Sequence, residues 1–304
     1  MLTLLKILRY FLPAALIAAA GPTLAQGRLE AQYTVTLAGI PIGKGSWVID
    51  ITDTRYSAAA TGVTTGMIWA FTGGQGTSAA SGTWQAGKPV SSSYAASITT
   101  RKKTDMTQLL VSNGTVKDSK LDPPLDRDKS RIAITEANQR GVQDPMTASL
   151  LRVPGTGDHL APEACQRTLA IFDGRLRYDL QLAFKRMDRV KASKGYAGPV
   201  LVCAVYFSPV AGFIPSRASI KYLSKMRDME VWLAPIAGTR VLVPFRAQGP
   251  TPIGTAVLEA DQFVSLAMPA SQTVQGPVKA SIKEPTKIPT VSITSPSMHE
   301  SKAQ

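Results

Sequence analysis

The sequence predicts an all-β protein built from antiparallel strands. Three observations support this: apolar and polar residues alternate with a period of two, turn-forming residues separate the alternating segments, and signals for helices are few. This alternation is typical of antiparallel sheets, because one face of each strand packs on the core and the other is hydrated. About 240 residues remain between two atypical chain ends, so we expect a single domain.

The first two strands are expected to form a hairpin. Tyr33, Val35 and Leu37 share one face, and residues 47–51 repeat the arrangement after a glycine-flanked turn at 39–43.

The clearest strand runs from Leu176 to Phe184, where every second residue is apolar and Arg177, Asp179 and Gln181 lie on the opposite face. Asp173 and Gly174 precede it, and this pair favours a tight type I′ turn from a preceding strand that is expected to include Cys165. Further strands are expected at 200–207, 229–234, 240–247 and 253–265, where β-branched and aromatic residues concentrate.

Two short helices are expected. Asp144 and Pro145 provide an N-cap carboxylate and a proline at the first helical position, which predicts a helix over 146–152. Residues 218–225 are a second candidate. The stretch 57–100 is rich in Thr, Ser, Ala and Gly, and its weak hydrophobic contrast leaves the strand registers undetermined.

The two chain ends differ from the rest. Lys6 and Arg9 precede an apolar run at 10–20, so we expect a signal peptide over 1–25, cleaved after Ala25. An uncleaved anchor is the alternative, but the run is too short for a transmembrane span. Residues 269–304 are dominated by Pro, Lys, Ser and Thr, which predicts a disordered tail. The β domain is then 26–268.

Export determines how the cysteines are interpreted. In an oxidising compartment Cys165 and Cys203 are expected to pair as a disulfide, with free buried thiols as the alternative. His159 and His299 are the only histidines, and together with two cysteines they do not supply a four-ligand zinc site. No metal or cofactor is expected.

The formal net charge is +13, and loss of Lys6 and Arg9 lowers it by two units. Such a balance favours acidic partners, such as lipid headgroups or an anionic envelope polymer. Nucleic acid is not expected as a partner, because the protein is predicted to be exported. Basic residues cluster at 101–103 and 185–194, where a solvated loop is the alternative interpretation.

Several motifs resemble a known family by their order and spacing. They are Cys165, Arg167, 172–175, 177–180, 195–196, 198–199, Cys203, Pro209, Gly212 and 229–233, together with the earlier segments 39–43 and 144–145. In these the chain resembles the domain-of-unknown-function family numbered 3108, whose members are exported envelope proteins of Gram-negative bacteria. The resemblance implies a periplasmic protein with a single curved antiparallel sheet, a half-barrel or β-spiral, and it implies no activity.

Two apolar stretches are candidate sites for a ligand or partner. Met67, Trp69 and Phe71 belong to a continuous apolar run, and Phe213 and Ile214 lie between prolines in a predicted loop. A curved sheet can enclose an acyl chain or a peptide, with apolar loop residues at the entrance. Ordinary core packing is the alternative for each stretch.

Arg167, Arg175 and Arg177 form a candidate anion-binding set. The last two share a strand face, and Arg167 joins them if the turn at Asp173 and Gly174 sets the expected register. Exposed arginines that serve only solubility are the alternative.

These features favour a binding or scaffolding protein of the cell envelope, with a lipid, a peptide or an envelope protein as partner and a role in envelope integrity. A hydrolase acting on an envelope polymer is the alternative. A Ser-His-Asp device would depend on His159, and no GxSxG turn is present, so no catalytic residue is assigned. In a third interpretation, the basic face and the lysine-bearing tail hold anionic lipid or peptidoglycan.

Overall fold

The computed structural model describes residues 26–66, 72–126 and 128–268. The predicted signal peptide, the predicted tail and the candidate residues Met67, Trp69 and Phe71 lie outside these ranges. The strands are β1 (Gly27–Leu37), β2 (Ile40–Ile51), β3 (Arg55–Thr64), β4 (Gln75–Gln85), β5 (Lys88–Thr99), β6 (Thr104–Ser112), β7 (Thr115–Asp122), β8 (Leu151–Arg152), β9 (Arg167–Phe172), β10 (Arg177–Lys191), β11 (Lys194–Gly195), β12 (Ala197–Ala211), β13 (Met229–Pro235), β14 (Val241–Thr251) and β15 (Gly254–Ala267).

All these strands belong to one sheet, whose topology confirms the predicted fold class. Strands β1 to β7 pair in chain order as an antiparallel meander. The last strand, β15, pairs antiparallel with β1, and the sheet continues through β14, β13, β12 and β10 to β9. The short strand β11 pairs with β15 in parallel. The first and last strands therefore meet in the middle of the sheet.

The sheet curves until its two edge strands, β7 and β9, approach each other. The segment 140–143 forms one bridge to Thr115 on β7 and another to Ile171 on β9. These two strands are the opposite edges of the sheet. A Cβ atom at Gly174, in the β9–β10 turn, would lie 2.6 Å from a methyl group of Thr107 on β6. The sheet thus curls round without closing into a barrel by strand pairing.

Both predicted helices are present, as α1 (Pro145–Ala148) and α2 (Ala218–Lys225). Helix α1 is shorter than the predicted 146–152. It stops because Leu151 and Arg152 pair with β14 as strand β8, and this tertiary pairing outweighs the helix propensity of the segment.

Two predicted turns differ from the structure. The first hairpin turns at Ala38 and Gly39, both with positive φ, and residues 40–43 already belong to β2. The turn after β9 is not a two-residue type I′ turn. The Asp173 carboxylate accepts hydrogen bonds from the backbone N–H groups of Arg175 and Leu176, at 2.8 and 2.7 Å, which stabilises a longer loop.

Strands β12, β13 and β14 are buried on both faces. Alternate residues of β12 enter two separate hydrophobic clusters: Val200 and Val202 join the large core, whereas Leu201 and Cys203 join a smaller cluster beneath the segment 151–165. The predicted disulfide between Cys165 and Cys203 is confirmed, and both cysteines are fully buried. The prediction that Cys165 lies on the hairpin strand is wrong, because Cys165 ends the 3-10 helix Pro162–Cys165 before β9 begins. The disulfide ties the covering segment to the sheet.

Candidate functional site

The first cavity is apolar, and we call it the leucine cavity. It is an open cavity of about 530 Å³ between β1, β9, β10 and β12 to β15. Its apolar lining includes Val35, Leu169, Ile171, Leu180, Leu182, Val205, Val231, Leu233, Ala247, Ala256 and Leu258. The apolar face of β10, which the alternation of residues predicted, therefore lines this cavity as well as packing against the core. The volume lies within the range of about 300–1,000 Å³ found for ligand sites.

Helix α1 contributes one wall of the leucine cavity through Pro145, Ala148 and Ser149. Asp144 holds this helix in place and is only 1% exposed. Its carboxylate accepts hydrogen bonds from the N–H groups of Met146 and Thr147, at 3.0 and 2.9 Å, and from the hydroxyl of Ser91 on β5, at 2.6 Å. The Thr147 hydroxyl also donates to it.

Burial raises the pKa of the Asp144 carboxyl, whereas these hydrogen bonds lower it. Because burial is the larger influence, the pKa stays above the ordinary range of an aspartate. All the hydrogen-bond donors to the Asp144 carboxylate belong to α1 or to Ser91 on β5, so these bonds stabilise the helix and its contact with β5. Asp144 is thus a positioning group for the cavity wall and has no catalytic geometry.

The second cavity is an open space of about 620 Å³ on the concave side of β2 to β5, and we call it the glycine cavity. The strand registers place Gly45, Gly62 and Gly76 directly beside one another on β2, β3 and β4. Three adjacent strands therefore lack side chains at directly neighbouring positions, which form one row. Gly62 and Gly76 line the cavity together with Gly43 and Gly74, whereas Gly45 lies beside Gly62 but does not line it. The absence of side chains at the lining glycines leaves the space open and also explains the low hydrophobic contrast of this part of the sequence.

Gly62 lies at the centre of this row and has room for a side chain. Even-numbered residues of β3, such as Tyr56 and Ala58, face the core, so a side chain at position 62 would point to the same side. A Cβ atom there would meet only the carbonyl oxygen of Lys44, at 3.8 Å. At Gly45 the same atom would lie 2.8 Å from the carbonyl oxygen of Thr61. A larger residue can therefore replace Gly62 without a backbone clash, whereas any side chain at Gly45 would clash with the backbone.

Val35 on β1 lines both cavities, so they adjoin at this side chain. The two spaces together run along the concave side of the sheet from β5 to β9.

Charged residues border the leucine cavity at Glu230. Its side chain pairs with Lys185 and accepts two hydrogen bonds from the Arg186 guanidinium, each at 3.1 Å. The hydrogen bonds from Arg186, and then from Lys185, hold the pKa of Glu230 below its ordinary value although burial opposes them. Glu230 is thus a paired carboxylate that ties β10 to β13.

Trp232 lies beside this ion pair on β13. The guanidinium groups of Arg186 and Arg246 lie over its ring at 5.4 and 4.9 Å from the centroid, and its indole N–H donates to Asp188 at 2.9 Å. Such cation–π contacts stabilise the packing of neighbouring strands.

Comparison with known proteins identifies the family. The model of the family described as "Protein of unknown function (DUF3108)" matches residues 32–261, from β1 to β15. The chain belongs to the DUF3108 family. The match includes every strand that lines the two cavities.

A solved structure with some likeness to this DUF3108 chain is the β-barrel-like protein of domain of unknown function DUF1849 from Brucella abortus. It is 11% identical, the alignment covers 80% of this chain and 98% of that one, and the TM-score is 0.38. No curated protein matches the chain.

The described part of the DUF3108 chain contains no helix long and apolar enough to cross a membrane. Within the same ranges no group of three or more His, Cys, Asp or Glu side chains is arranged to hold a metal ion.

Phe213 and Ile214 do not line either cavity of the DUF3108 chain. They follow β12, and the carbonyl oxygen of Phe213 accepts a hydrogen bond from the N–H of Ile132 at 2.8 Å. Ile214 is buried. These contacts are those of a packed loop, the alternative interpretation for this stretch, and binding at these residues stays a prediction.

The three candidate arginines do not form one set. Arg167 pairs with Leu182 in the β9–β10 register, whereas Arg177 pairs with Phe172 at the other end of the hairpin. Arg177 forms an ion pair with Asp179 at 2.7 Å, and Arg175 lies 3.8 Å from Asp105. Directly opposed residues share a face of the sheet, so Arg167 lies on the face of Leu182, whereas Arg177 lies on the other face. Anion binding by any one of these residues stays a prediction.

The cavities of the DUF3108 chain were not predicted from its sequence. The alternation on β10 correctly indicates a buried face, but it does not distinguish a face against a cavity from a face against other side chains. The signal for the glycine cavity is present as Gly43, Gly45, Gly62, Gly74 and Gly76. It becomes visible only when the pairing of β2, β3 and β4 is known.

Proposed function

We propose that this DUF3108 protein is an exported protein of the periplasm that binds a lipid by its acyl chain. The leucine cavity carries the proposal. Its lining is almost entirely apolar, and its polar members already have partners: Glu230 pairs with Lys185 and Arg186, Gln248 donates to Glu230, and Ser149 donates to the carbonyl oxygen of Pro145. A site of this composition suits a hydrocarbon chain better than a polar ligand.

The energy of such binding can be estimated from the buried surface. Each methylene group transferred from water contributes about 0.8 kcal/mol, so roughly ten of them contribute about 8 kcal/mol. Association costs at least about 4 kcal/mol in lost freedom of motion. An acyl chain in the leucine cavity is therefore bound reversibly, as a carrier or sensor requires.

The compartment is supported by two further features. The Cys165–Cys203 disulfide is compatible with an exported protein, because disulfides form and persist in oxidising compartments. The basic residues and apolar run that open the chain match a bacterial export signal.

Native mass spectrometry of the exported protein, combined with organic extraction, tests the proposal. We expect an adduct with the mass of an acyl lipid, which the extract then identifies. A protein recovered only in its ligand-free mass, or a bound peptide, contradicts lipid binding.

Filling the leucine cavity is expected to displace the lipid. In the variant Ala256→Phe a phenyl ring enters the cavity near its end, and displacing two methylene groups reduces affinity by about tenfold. The control is Thr255→Phe, which adds the same ring at the exposed neighbouring residue. Titration with a fluorescent fatty acid measures both; equal affinities of the two variants would count against the site.

The glycine cavity is expected to set the length of the acyl chain. Gly62→Leu fills it without a backbone clash, so the lipid that co-purifies should carry shorter chains than that of the unchanged protein. Ala59→Leu is the matched control, because residue 59 lies on the exposed face of the same strand. The extracted chain lengths provide the measurement, and an unchanged distribution in Gly62→Leu would limit the lipid to the leucine cavity.

The hydrolase alternative has less support. His159, on which a shuttle base would depend, lies in the 151–165 segment that covers the smaller cluster, and neither cavity is lined by it. Hydrolysis therefore stays a prediction.

A further inference from the structure

One end of the sheet collects several turns of the chain. The β1–β2 turn touches the β14–β15 turn, where the N–H of Ala38 donates to the carbonyl oxygen of Thr255 at 2.9 Å. The β5–β6 turn reaches the same end, because the N–H of Arg101 donates to the carbonyl oxygen of Thr72 at 2.9 Å and Thr72 follows β3. Met226, directly after α2, packs near Gly249 on β14. We call this end the rim.

Large apolar side chains are exposed at the rim. Ile40 begins β2 and is 66% exposed, Ile253 occupies the β14–β15 turn and is 72% exposed, and Ile98, near the end of β5, is 57% exposed. Single exposed apolar residues are common. Here they share one end of the sheet with Tyr222 of α2, which is 38% exposed. Such a group marks an interaction surface.

Basic residues surround these apolar side chains. The β5–β6 turn carries residues 101–103, and α2 with the residue pair after it carries Lys221, Lys225 and Arg227. Lys103 pairs with Asp105 at 2.7 Å. Lys102, Lys221 and Lys225 are exposed. The rim therefore combines a positive charge with protruding hydrocarbon.

We propose that the rim docks on the surface of an anionic lipid bilayer. Exposed isoleucine side chains enter the boundary between headgroups and acyl chains, and the surrounding lysines attract anionic headgroups. Both cavities extend to this end, at Gly249 and Ala256 for the leucine cavity and at Thr64 and Thr100 for the glycine cavity. Docking by the rim thus places the cavities next to the membrane from which a lipid would be taken.

The test measures co-sedimentation of the exported protein with vesicles of phosphatidylcholine, with and without phosphatidylglycerol. We expect binding that requires phosphatidylglycerol and weakens with salt. In Lys102→Glu/Lys103→Glu each lost lysine contact reduces binding about fivefold, so the partition coefficient should fall by about 25-fold. Adding Ile253→Asp to this variant should lower the partition coefficient further.

Matched controls lie at the opposite end of the sheet. Lys88→Glu/Lys117→Glu makes the same change of charge beside the β4–β5 and β6–β7 turns, and Leu266→Asp changes an apolar residue that is 55% exposed near the far end of β15. These controls should bind vesicles like the unchanged protein. Equal losses in rim variants and controls, or no binding by the unchanged protein, would overturn the proposal. Ala256→Phe, which is expected to weaken lipid binding in the leucine cavity, should still dock, so failure of docking and failure of lipid binding give different results.

Discussion

The double variant Cys165→Ala/Cys203→Ala is expected to lose about 4 kcal/mol of unfolding free energy. The disulfide closes a loop with a sequence separation of 38 residues, and the cross-link restricts the unfolded chain. Both cysteines also belong to the buried cluster with Leu201 and Leu233, so the lost sulfur atoms weaken packing there. Urea unfolding followed by circular dichroism measures the loss.

Reduction of the unchanged protein separates the two contributions. It opens the cross-link but keeps both sulfur atoms in the cluster, so it should cost slightly less than the double variant. Adding reductant to the double variant should change nothing. A loss below about 1 kcal/mol would show that the 151–165 segment is held without the disulfide, through the pairing of β8 with β14 and the hydrogen bonds from Arg240 to the carbonyl oxygens of Val153 and Pro154.

The variant Asp144→Ala is expected to destabilise the protein by about 3–5 kcal/mol. It removes the N-cap of α1 and leaves the buried hydroxyls of Ser91 and Thr147 without their acceptor. The preceding residues 140–143 bridge the two edges of the sheet, so loosening α1 also weakens the contact between β7 and β9. Thermal unfolding should show a lower midpoint, and hydrogen exchange should increase first at 140–150.

Asp158→Ala is the matched control for Asp144→Ala. Asp158 accepts a hydrogen bond from the N–H of Leu160 at 2.8 Å, but its side chain is exposed in the 151–165 segment. Its loss should cost less than about 1 kcal/mol. Asp144→Asn keeps one carbonyl oxygen for the helix N–H groups and should lie between the two. Equal stabilities of Asp144→Ala and Asp158→Ala would contradict the role assigned to the buried carboxylate.

The local chemistry of several elements was readable from the sequence. The alternation over residues 176–184 indicates a strand with one buried face, and Asp144 with Pro145 indicates a helix start. The cysteine pair follows from the expected oxidising compartment. Each of these features depends on a few neighbouring residues or on composition, and so does not require knowledge of long-range pairing.

Features that depend on register were wrong or were not predicted. The helix after Pro145 stops early because Leu151 pairs with β14, a strand about ninety residues later in the chain. Arg167 is separated from Arg177 because it pairs with Leu182 and therefore lies on the other face of the hairpin. The end of the helix has no local signal, since it depends on which distant segment supplies hydrogen bonds.

The sequence by itself determined the class of fold, the disulfide and the family, because strand periodicity, cysteine number and motif order are local or compositional properties. Tertiary structure alone decided that β15 returns to β1, that Gly45, Gly62 and Gly76 form one row, and that two apolar cavities adjoin at Val35. The physical reason is that a cavity is space left between strands, and its shape depends on their pairing and curvature.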